Sequence, residues 1–352
     1  MARQSCVHGR VADRGCPSAA GENALAGIQS SPTPAHRRTA VNALAEQLRE
    51  RIVEKMFSPP IASTLLAEAD WLERRRAHEA RVQAWTLPHR ERRGRGEKHP
   101  VHDFLFEYYR FRPSWLQRWH PGPDVILEGP CAREFLRWPE YHEVETGVAL
   151  NPAALEPHRR ESLQWMTNLL RLTAERPPQF ACFGMHEWAM VYRQTPEQVR
   201  HNAWPLRFPP EELARIVEAQ PIRCSHFDAF RFFTEPARPL NKLQPTRVTV
   251  PQLEQRGCLH ANMDLYKWAF KFAPFTPAEL IADCFALARD IREIDMRASP
   301  YDFRKIDYEP LCIETPEGRA EYELHQRDFA QRSQPLRARL AAFGERMALT
   351  FN

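Results

Sequence analysis

The chain has 352 residues, of which 43% are hydrophobic and 27% are charged, and it carries a net charge of +4. This balance is typical of a globular protein and excludes a histone-like basic tail protein. Glycine is scarce, with 13 residues and neither a GxGxxG nor a GxxxxGK[ST] stretch, so a glycine-rich phosphate loop is not expected.

The first 100 residues divide into a tail, two helices and a loop. Residues 1–40 are rich in Gly, Ser, Pro, Ala and Arg without an apolar period, which predicts a disordered N-terminal segment ahead of a helical domain at 41–352. Helical spacing of apolar residues predicts helices at 41–57 and from Ser63 or Thr64 to about Trp85. Residues 88–100 (PHRERRGRGEKHP) are expected to form an exposed basic loop.

The remainder also has mainly helical patterns. Further helices are predicted at 152–176, 180–193, 210–220, 259–272 and 276–296. A charged, alanine-rich segment at 316–348 is expected to form an exposed closing helix. Three segments are candidates for short strands: Val125–Leu127, 247–250 and 311–313. The fold class that follows is mainly α: a single large helical domain with few or no short strands.

The distribution of cysteines and the hydropathy predict the cellular compartment of the protein. The eight cysteines are scattered singly and no C-x-x-C pair is present, which is typical of reduced cytosolic thiols and disfavours a zinc ribbon. No run approaches ~18 consecutive apolar residues, so no membrane span is expected. We therefore expect a cytoplasmic protein without a membrane partner, and its oligomeric state is left open.

A Cys–His–carboxylate pattern recurs three times and is the most informative feature of the sequence. In each copy a cysteine shortly precedes a histidine, a carboxylate follows, and aromatic residues come next. The three copies are Cys182, His186 and Glu187; Cys224, His226 and Asp228; Cys258, His260 and Asp264. Charge pairs on a solvated surface rarely lie among Trp, Tyr and Phe, so we expect the three units to line one cavity.

Each pair has a chemical interpretation and a structural alternative. His260 and Asp264 are four residues apart and would share a helix face, which suits either proton transfer or metal ligation, or simply a solvated ion pair. His226 and Asp228 would point the same way in an extended segment, although Asp228 could instead pair with Arg231.

His186 and Glu187 are adjacent, so on a helix only one of them is expected to face a given pocket, and Glu187 is the better acid–base candidate. The charged run around Asp295 is explained by a charged helix face.

Five segments of the chain resemble a bacterial family commonly labelled 3-methyladenine DNA glycosylase. These are 99–105 (HPVHDFL), 183–193 (FGMHEWAMVYR), 226–233 (HFDAFRFF), 257–268 (GCLHANMDLYKW) and 295–302 (DMRASPYD), within a resemblance that covers roughly 71–340. It implies that DNA is the partner and that the N-glycosidic bond of a flipped, alkylated purine is hydrolysed without a cofactor.

The resemblance also implies roles for residues of this chain. Asp264 or Asp228 would be the catalytic carboxylate, with Glu187, His186, His226 and His260 as further catalytic candidates. The substrate would contact an arginine and four aromatic residues: Arg231, Trp188, Tyr192, Tyr266 and Trp268. Phosphates would be contacted by the basic loop, through Arg90, Arg92, Arg93, Arg95 and Lys98.

The competing hypothesis is a metal-dependent enzyme that acts on a small molecule. His186, His226 and His260, with Asp264, Asp228 or Glu187, would supply a two-His-one-carboxylate set for non-haem iron or zinc. The cysteines would then be thiols near the site or zinc ligands. A third hypothesis is a non-catalytic nucleotide-binding or RNA-binding module that uses the aromatic residues and the basic loop.

Overall fold

The computed structural model describes residues 64–180, 182–195, 197–199 and 203–351. The predicted disordered segment 1–40 and the predicted helix 41–57 lie outside the described residues. The described part belongs to one compact unit, and its secondary structure is mainly helical, which confirms the predicted fold class. None of its helices is both long enough and apolar enough to cross a membrane.

The described chain opens with a short strand and a long helix. Strand β1 (Thr64–Leu66) is followed by helix α1 (Glu68–Gly94), which buries one stripe of side chains. The stripe consists of Trp71, His78, Val82, Thr86 and His89. The helix continues through Pro88, so the predicted helix end near Trp85 and the predicted loop from residue 88 are wrong.

The described residues also contain one small, four-stranded sheet. Its strands β2 (Val125–Leu127), β3 (Tyr141–Val144) and β4 (Gly147–Leu150) join β1 in the order β1-β2-β4-β3. β1 and β2 are parallel, whereas β4 is antiparallel to both β2 and β3. Of the three predicted strands only Val125–Leu127 is confirmed, because 247–250 forms a turn into a short helix and 311–313 is irregular.

The remaining helices are mostly short and carry the candidate site. In chain order they are α2 (Phe104–Tyr108), α3 (Pro113–Leu116), α4 (Pro157–Glu175), α5 (Met185–Ala189), α6 (Pro210–Glu218), α7 (Phe227–Phe230), α8 (Val250–Leu253), α9 (Leu259–Lys271), α10 (Ala278–Arg297) and α11 (Pro316–Leu349). Short 3-10 turns lie at Pro130–Arg137, Pro152–Ala154, Glu235–Leu240 and Arg304–Ile306. The predicted helix 180–193 is reduced to the five residues of α5.

Helices α9 and α10 form the centre of the core. They pack against each other, and both also contact α11. Most residues of both helices are buried, including Tyr266 and Phe285, which is expected of helices surrounded by protein. Helix α11 buries Tyr322, Phe329 and Phe343 against this core, so the prediction of an exposed closing helix is wrong for one of its faces.

Candidate functional site

The structure brings the three predicted imidazoles into contact. His186 lies in α5, His226 precedes α7 and His260 lies in the first turn of α9. The ring centroids of His186 and His260 are 4.3 Å apart, and those of His226 and His260 are 5.3 Å apart. Gly184 positions His186 because it turns the chain into α5 at a φ of +69°, a conformation that favours glycine.

Two groups of potential metal ligands adjoin at His260. The first group is His186, His260 and Asp295, and the second is His226, Glu254 and Asp264. Within each group one ligand atom per residue lies within 4.8 Å of the others. Such buried sets of imidazoles and carboxylates suit zinc or non-haem iron.

The first group contains two ligand atoms that face each other without a hydrogen bond. His186 Nε2 lies 3.0 Å from Asp295 Oδ1, and both side chains are almost completely buried. Their orientation is unsuitable for a hydrogen bond, and neither atom has another hydrogen-bond partner in the described part of the chain. The other carboxylate oxygen, Asp295 Oδ2, accepts a hydrogen bond of 2.9 Å from Arg292. The two atoms therefore form a buried ion pair, between the protonated imidazole of His186 and the carboxylate of Asp295, that is not aligned as a hydrogen bond.

The charges around this point set the protonation of its imidazoles. Burial alone would lower the pKa of His186, but the carboxylate of Asp295 raises it well above the ordinary value. Burial and then the positive charge of His186 lower the pKa of His260 far below its usual range. His260 is therefore neutral, which is the form of imidazole that binds metals.

The second group is instead satisfied by hydrogen bonds and carries its own cation. Asp264 accepts a hydrogen bond of 2.7 Å from Tyr109 and one of 3.2 Å from His226 Nε2. The ammonium group of Lys267 donates to the same carboxylate. Burial opposes ionisation of Asp264, but Lys267 and His226 together hold its pKa well below the usual range. Glu254, at 3.5 Å from His226, completes the group.

A cavity of about 360 Å³ reaches the first group through His260. Its polar wall includes Glu187, Asp228 and Arg292. Its aromatic wall is formed by Phe104, Tyr108, Phe232 and Tyr301. A separate cavity of about 310 Å³ reaches the second group, and its lining includes Trp165, His226, Asp228, Glu254, Lys267 and Trp268.

Glu187 and His186 belong to one network, and of the two only Glu187 lines the cavity, as the sequence predicts. Glu187 Oε1 lies 3.9 Å from His186 Nε2 and accepts a hydrogen bond of 3.1 Å from Arg292 Nη1. The same guanidinium nitrogen donates to Asp295, so Arg292 holds the two carboxylates near the imidazole. Arg292 Nε has no hydrogen-bond partner among the described residues.

Most of the predicted substrate-binding side chains lie in the core or in ion pairs. Trp188 and Tyr266 are fully buried, and Tyr192, only 2% exposed, donates a hydrogen bond to Glu218. They line none of the cavities described above, so in this structure they offer no face to a ligand. Arg231 pairs with Asp228 at 3.0 Å, and only Trp268 lines a cavity, the one at the second group.

The predicted phosphate contacts are mostly occupied by neighbouring acids. Arg92 pairs with Asp103, Arg95 with Glu97 and Lys98 with Glu107. Arg92 and Arg93 also lie in the last turn of α1 rather than in a loop. Arg90 and Arg93 form no ion pair with a carboxylate of the described residues.

Sequence reasoning missed three residues of the centre. Asp295 and Arg292 were assigned to a charged helix face, whereas both are buried and turn toward α5. The sequence does carry a signal for Asp295: it is a charged residue one turn after Arg292 on a largely apolar helix, a position that predicts a buried polar group. Glu254 follows α8 and had no signal, because its proximity to His226 arises only from the tertiary fold.

The cysteines of the recurring pattern are Cys182, Cys224 and Cys258, and Cys182 interacts with both Cys224 and His186. A hydrogen bond with Cys224 and the neighbouring His186 lower the pKa of the Cys182 thiol to about 5, although burial opposes the shift. Cys224 and Cys258 are buried. Within the described residues no cysteine belongs to either group of potential metal ligands.

Family models, curated proteins and solved structures all give no match to this chain. The functional interpretation therefore rests on the residues themselves.

Proposed function

We propose that the protein is a metal-dependent enzyme that acts on a small molecule and holds one divalent cation between His186, His260 and Asp295. The observation that carries this proposal is the clustering of His186, His260 and Asp295, whose ligand atoms lie within 4.8 Å of one another. The proton that His186 holds beside Asp295 is the positive charge that a cation would replace. A cation bound here would displace the proton of His186 and would break no hydrogen bond of either atom, since neither atom makes one among the described residues.

The second group is a weaker candidate because the carboxylate of Asp264 already accepts three hydrogen bonds. A cation bound by Asp264 would have to displace the ammonium group of Lys267 and also the hydrogen bonds from Tyr109 and His226. Asp295, by contrast, keeps one oxygen free of hydrogen bonds. We therefore assign one metal ion, not two, to the centre.

The surroundings of the first group favour activation of water for hydrolysis. Two imidazoles and one carboxylate leave coordination positions open, and the cavity reaches the group at His260. A bound zinc or iron ion would polarise water or substrate there. Glu187, on the cavity wall and 3.9 Å from His186 Nε2, is placed to act as the general base. A cavity of about 360 Å³ is in the range used for small molecules.

Metal analysis of the purified protein tests the proposal. We expect about one equivalent of zinc or iron, lost in His260→Ala and in Asp295→Asn but retained in His226→Ala and in the surface variant His325→Ala. Circular dichroism should show that each variant is folded. Wild-type protein that takes up no zinc or iron after reconstitution, or Asp295→Asn protein that keeps its metal, would contradict the proposal.

Hydrolysis of an N-glycosidic bond in DNA is the second candidate function, and the position of Asp228 favours it. The Asp228 side chain is 35% exposed and lines both cavities, whereas Asp264 is 3% exposed and saturated with hydrogen bonds. Under this proposal Asp228→Asn abolishes release of alkylated purines and metal removal has no effect. Loss of activity on metal removal would instead support the first proposal. For either activity we place the protein in the cytoplasm, on the ground of its singly scattered cysteines.

A further inference from the structure

Several arginines on one surface have no carboxylate partner. Most exposed arginines of the described chain form ion pairs, as Arg95 does with Glu97. Five exposed arginines near α3 and the end of α1 form none with any described residue: Arg93, Arg110, Arg112, Arg118 and Arg137. Unpaired guanidinium groups attract anions, because no nearby acid cancels their field.

Two tryptophans lie between these arginines. Trp115 in α3 is 44% exposed, and the guanidinium carbons of Arg112 and Arg118 lie 5.4 Å and 5.5 Å from the centre of its ring. The guanidinium of Arg137 lies 4.0 Å from the ring of Trp138. These distances are those of cation–π contacts, in which the arginine stacks on the indole while it keeps its charge and its hydrogen-bond donors.

A cleft of about 200 Å³ is lined by both tryptophans together with Arg118. Its acidic lining residue is Glu140. Beside it, a second hollow is also lined by Arg118 and Trp138. The carboxylates of that second hollow, Glu79 and Glu134, are both engaged by Arg75.

The arginines continue the surface to the other side of α3. Arg112 lines a hollow of about 500 Å³ together with Arg93 and Arg110. The acids of this hollow are neutralised by other bases, since Glu97, Asp103 and Glu107 pair with Arg95, Arg92 and Lys98. We name the surface formed by Trp115, Trp138 and the five unpaired arginines the Trp–Arg surface.

We propose that the Trp–Arg surface binds single-stranded nucleic acid. The exposed indole of Trp115 can stack on an unpaired base, whereas Trp138 is half-buried. Arginines beside such an indole contact the phosphates, which is the combination used by proteins that bind single strands. A duplex fits less well because its base faces are already stacked within the helix. DNA and RNA strands share this chemistry. The surface includes neither group of potential metal ligands, so this binding is independent of the proposed metal centre.

Fluorescence anisotropy with a labelled twelve-residue oligothymidine tests the stacking contact. The assay contains EDTA, so its outcome does not depend on the metal proposal. We expect Trp115→Ala to weaken binding about tenfold, as the loss of one stacked base does elsewhere. Leu324→Ala, which removes a large side chain of α11 that is 69% exposed, should leave the affinity unchanged.

Salt dependence tests the phosphate contacts. Replacing Arg112, Arg118 and Arg137 together by Gln should reduce the slope of log affinity against log salt by about 2, because each phosphate contact to a single strand contributes roughly 0.7. The matched control replaces three exposed, ion-paired arginines by Gln and so changes the net charge equally: Arg171, Arg304 and Arg327. The control should keep the wild-type slope.

Three results would overturn the proposal. The first is wild-type protein that binds no oligothymidine or oligouridine at low salt. The second is equal affinity for single strands, blunt duplex and heparin, which would show a surface that senses charge alone. The third is a Trp115→Ala variant with unchanged affinity, since a stacking site cannot lose its indole without effect.

Discussion

At the scale of single residues, two buried aspartates of the same centre differ in how their oxygens are used. Asp264 accepts hydrogen bonds from Tyr109, His226 and Lys267, so its charge is compensated inside the protein. Asp295 is also fully buried but keeps one oxygen without a hydrogen bond. The charge of Asp295 is compensated as well, by Arg292 and by the protonated His186. The two aspartates differ because a cation could reach Asp295 Oδ1 by replacing the proton of His186, without breaking a hydrogen bond to that oxygen.

Removal of the Lys267 ammonium group tests this distinction. Lys267→Met leaves Asp264 charged and buried, so we expect the free energy of unfolding to fall by about 3 kcal/mol, as for other broken buried pairs. Urea denaturation measures the change. Arg231→Met, which breaks the more exposed pair with Asp228, should cost less than about 1 kcal/mol. Equal effects in the two variants would show that Lys267 is not the resident cation of the second group.

The sequence predicts which residue types form the site, but not which of these residues are neighbours in space. Histidines and carboxylates among aromatic residues marked His186, His226 and His260, and the structure places their rings in contact. The identity of their partners was not predictable, because Asp295 reaches His186 only through the packing of α10 beside α5. Aromatic neighbours were also ambiguous: the same hydrophobicity that marked a pocket placed Trp188 in the core.

At the scale of elements, long helices were predictable and short elements were not. A helix of the length of α9 or α10 repeats its apolar period several times, and its predicted limits agree with the structure within a few residues. Strands of three or four residues, such as β1 and β3, show no repeat at all. Helix α1 continues past Pro88 because His89 and Arg92, beyond the proline, are both held by Asp103.

The close approach of α11 and α4 gives a prediction at this scale. A Cβ atom on Gly344 would lie 2.0 Å from Thr167 Oγ1, so Gly344→Ala would force the two helices apart. We expect the free energy of unfolding to fall by about 1–3 kcal/mol despite the better helix propensity of alanine. Thermal and urea denaturation measure this loss.

The matched control is the glycine at the end of α1. Gly94 has no atom within 4 Å of an added Cβ, so Gly94→Ala should be neutral or stabilise by up to about 1 kcal/mol. A Gly344→Ala variant as stable as wild type would show that α4 and α11 can separate without cost. Thr167→Ala in the same chain should recover part of the loss, because it removes the hydroxyl that clashes.

At the scale of the whole molecule, the core buries polar groups that must stay neutral as well as groups that must stay charged. His120 is 6% exposed, with Nδ1 3.0 Å from the hydroxyl of Tyr141. Burial, reinforced by the positive charges of Arg118, His78 and Arg137, lowers the pKa of His120 to about 3. The folded protein therefore keeps His120 neutral at pH values where the unfolded chain protonates it.

The sign of the pH dependence follows from this difference. The ordinary pKa of histidine is 6.5, so between pH 6.5 and about 3 the unfolded state binds a proton at His120 that the folded state does not. The stability associated with His120 is complete above pH 6.5 and is lost as the pH falls through this window, by at most about 1.4 kcal/mol per pH unit. His120→Asn keeps a polar group near Tyr141 but cannot be protonated, so its stability should fall less steeply between pH 7 and pH 4.5.

Urea denaturation at several pH values compares the slopes of the two proteins. His158→Asn, at a histidine whose side chain is 74% exposed, should retain the wild-type slope. If His120→Asn also retains the wild-type slope, His120 is protonated in the folded state near its ordinary pKa. The packing of Phe135, Trp138 and Tyr141 around His120 would then not exclude the charge. A flatter slope in His120→Asn alone would locate one source of acid sensitivity beside the sheet, distant in sequence from the three imidazoles of the metal centre.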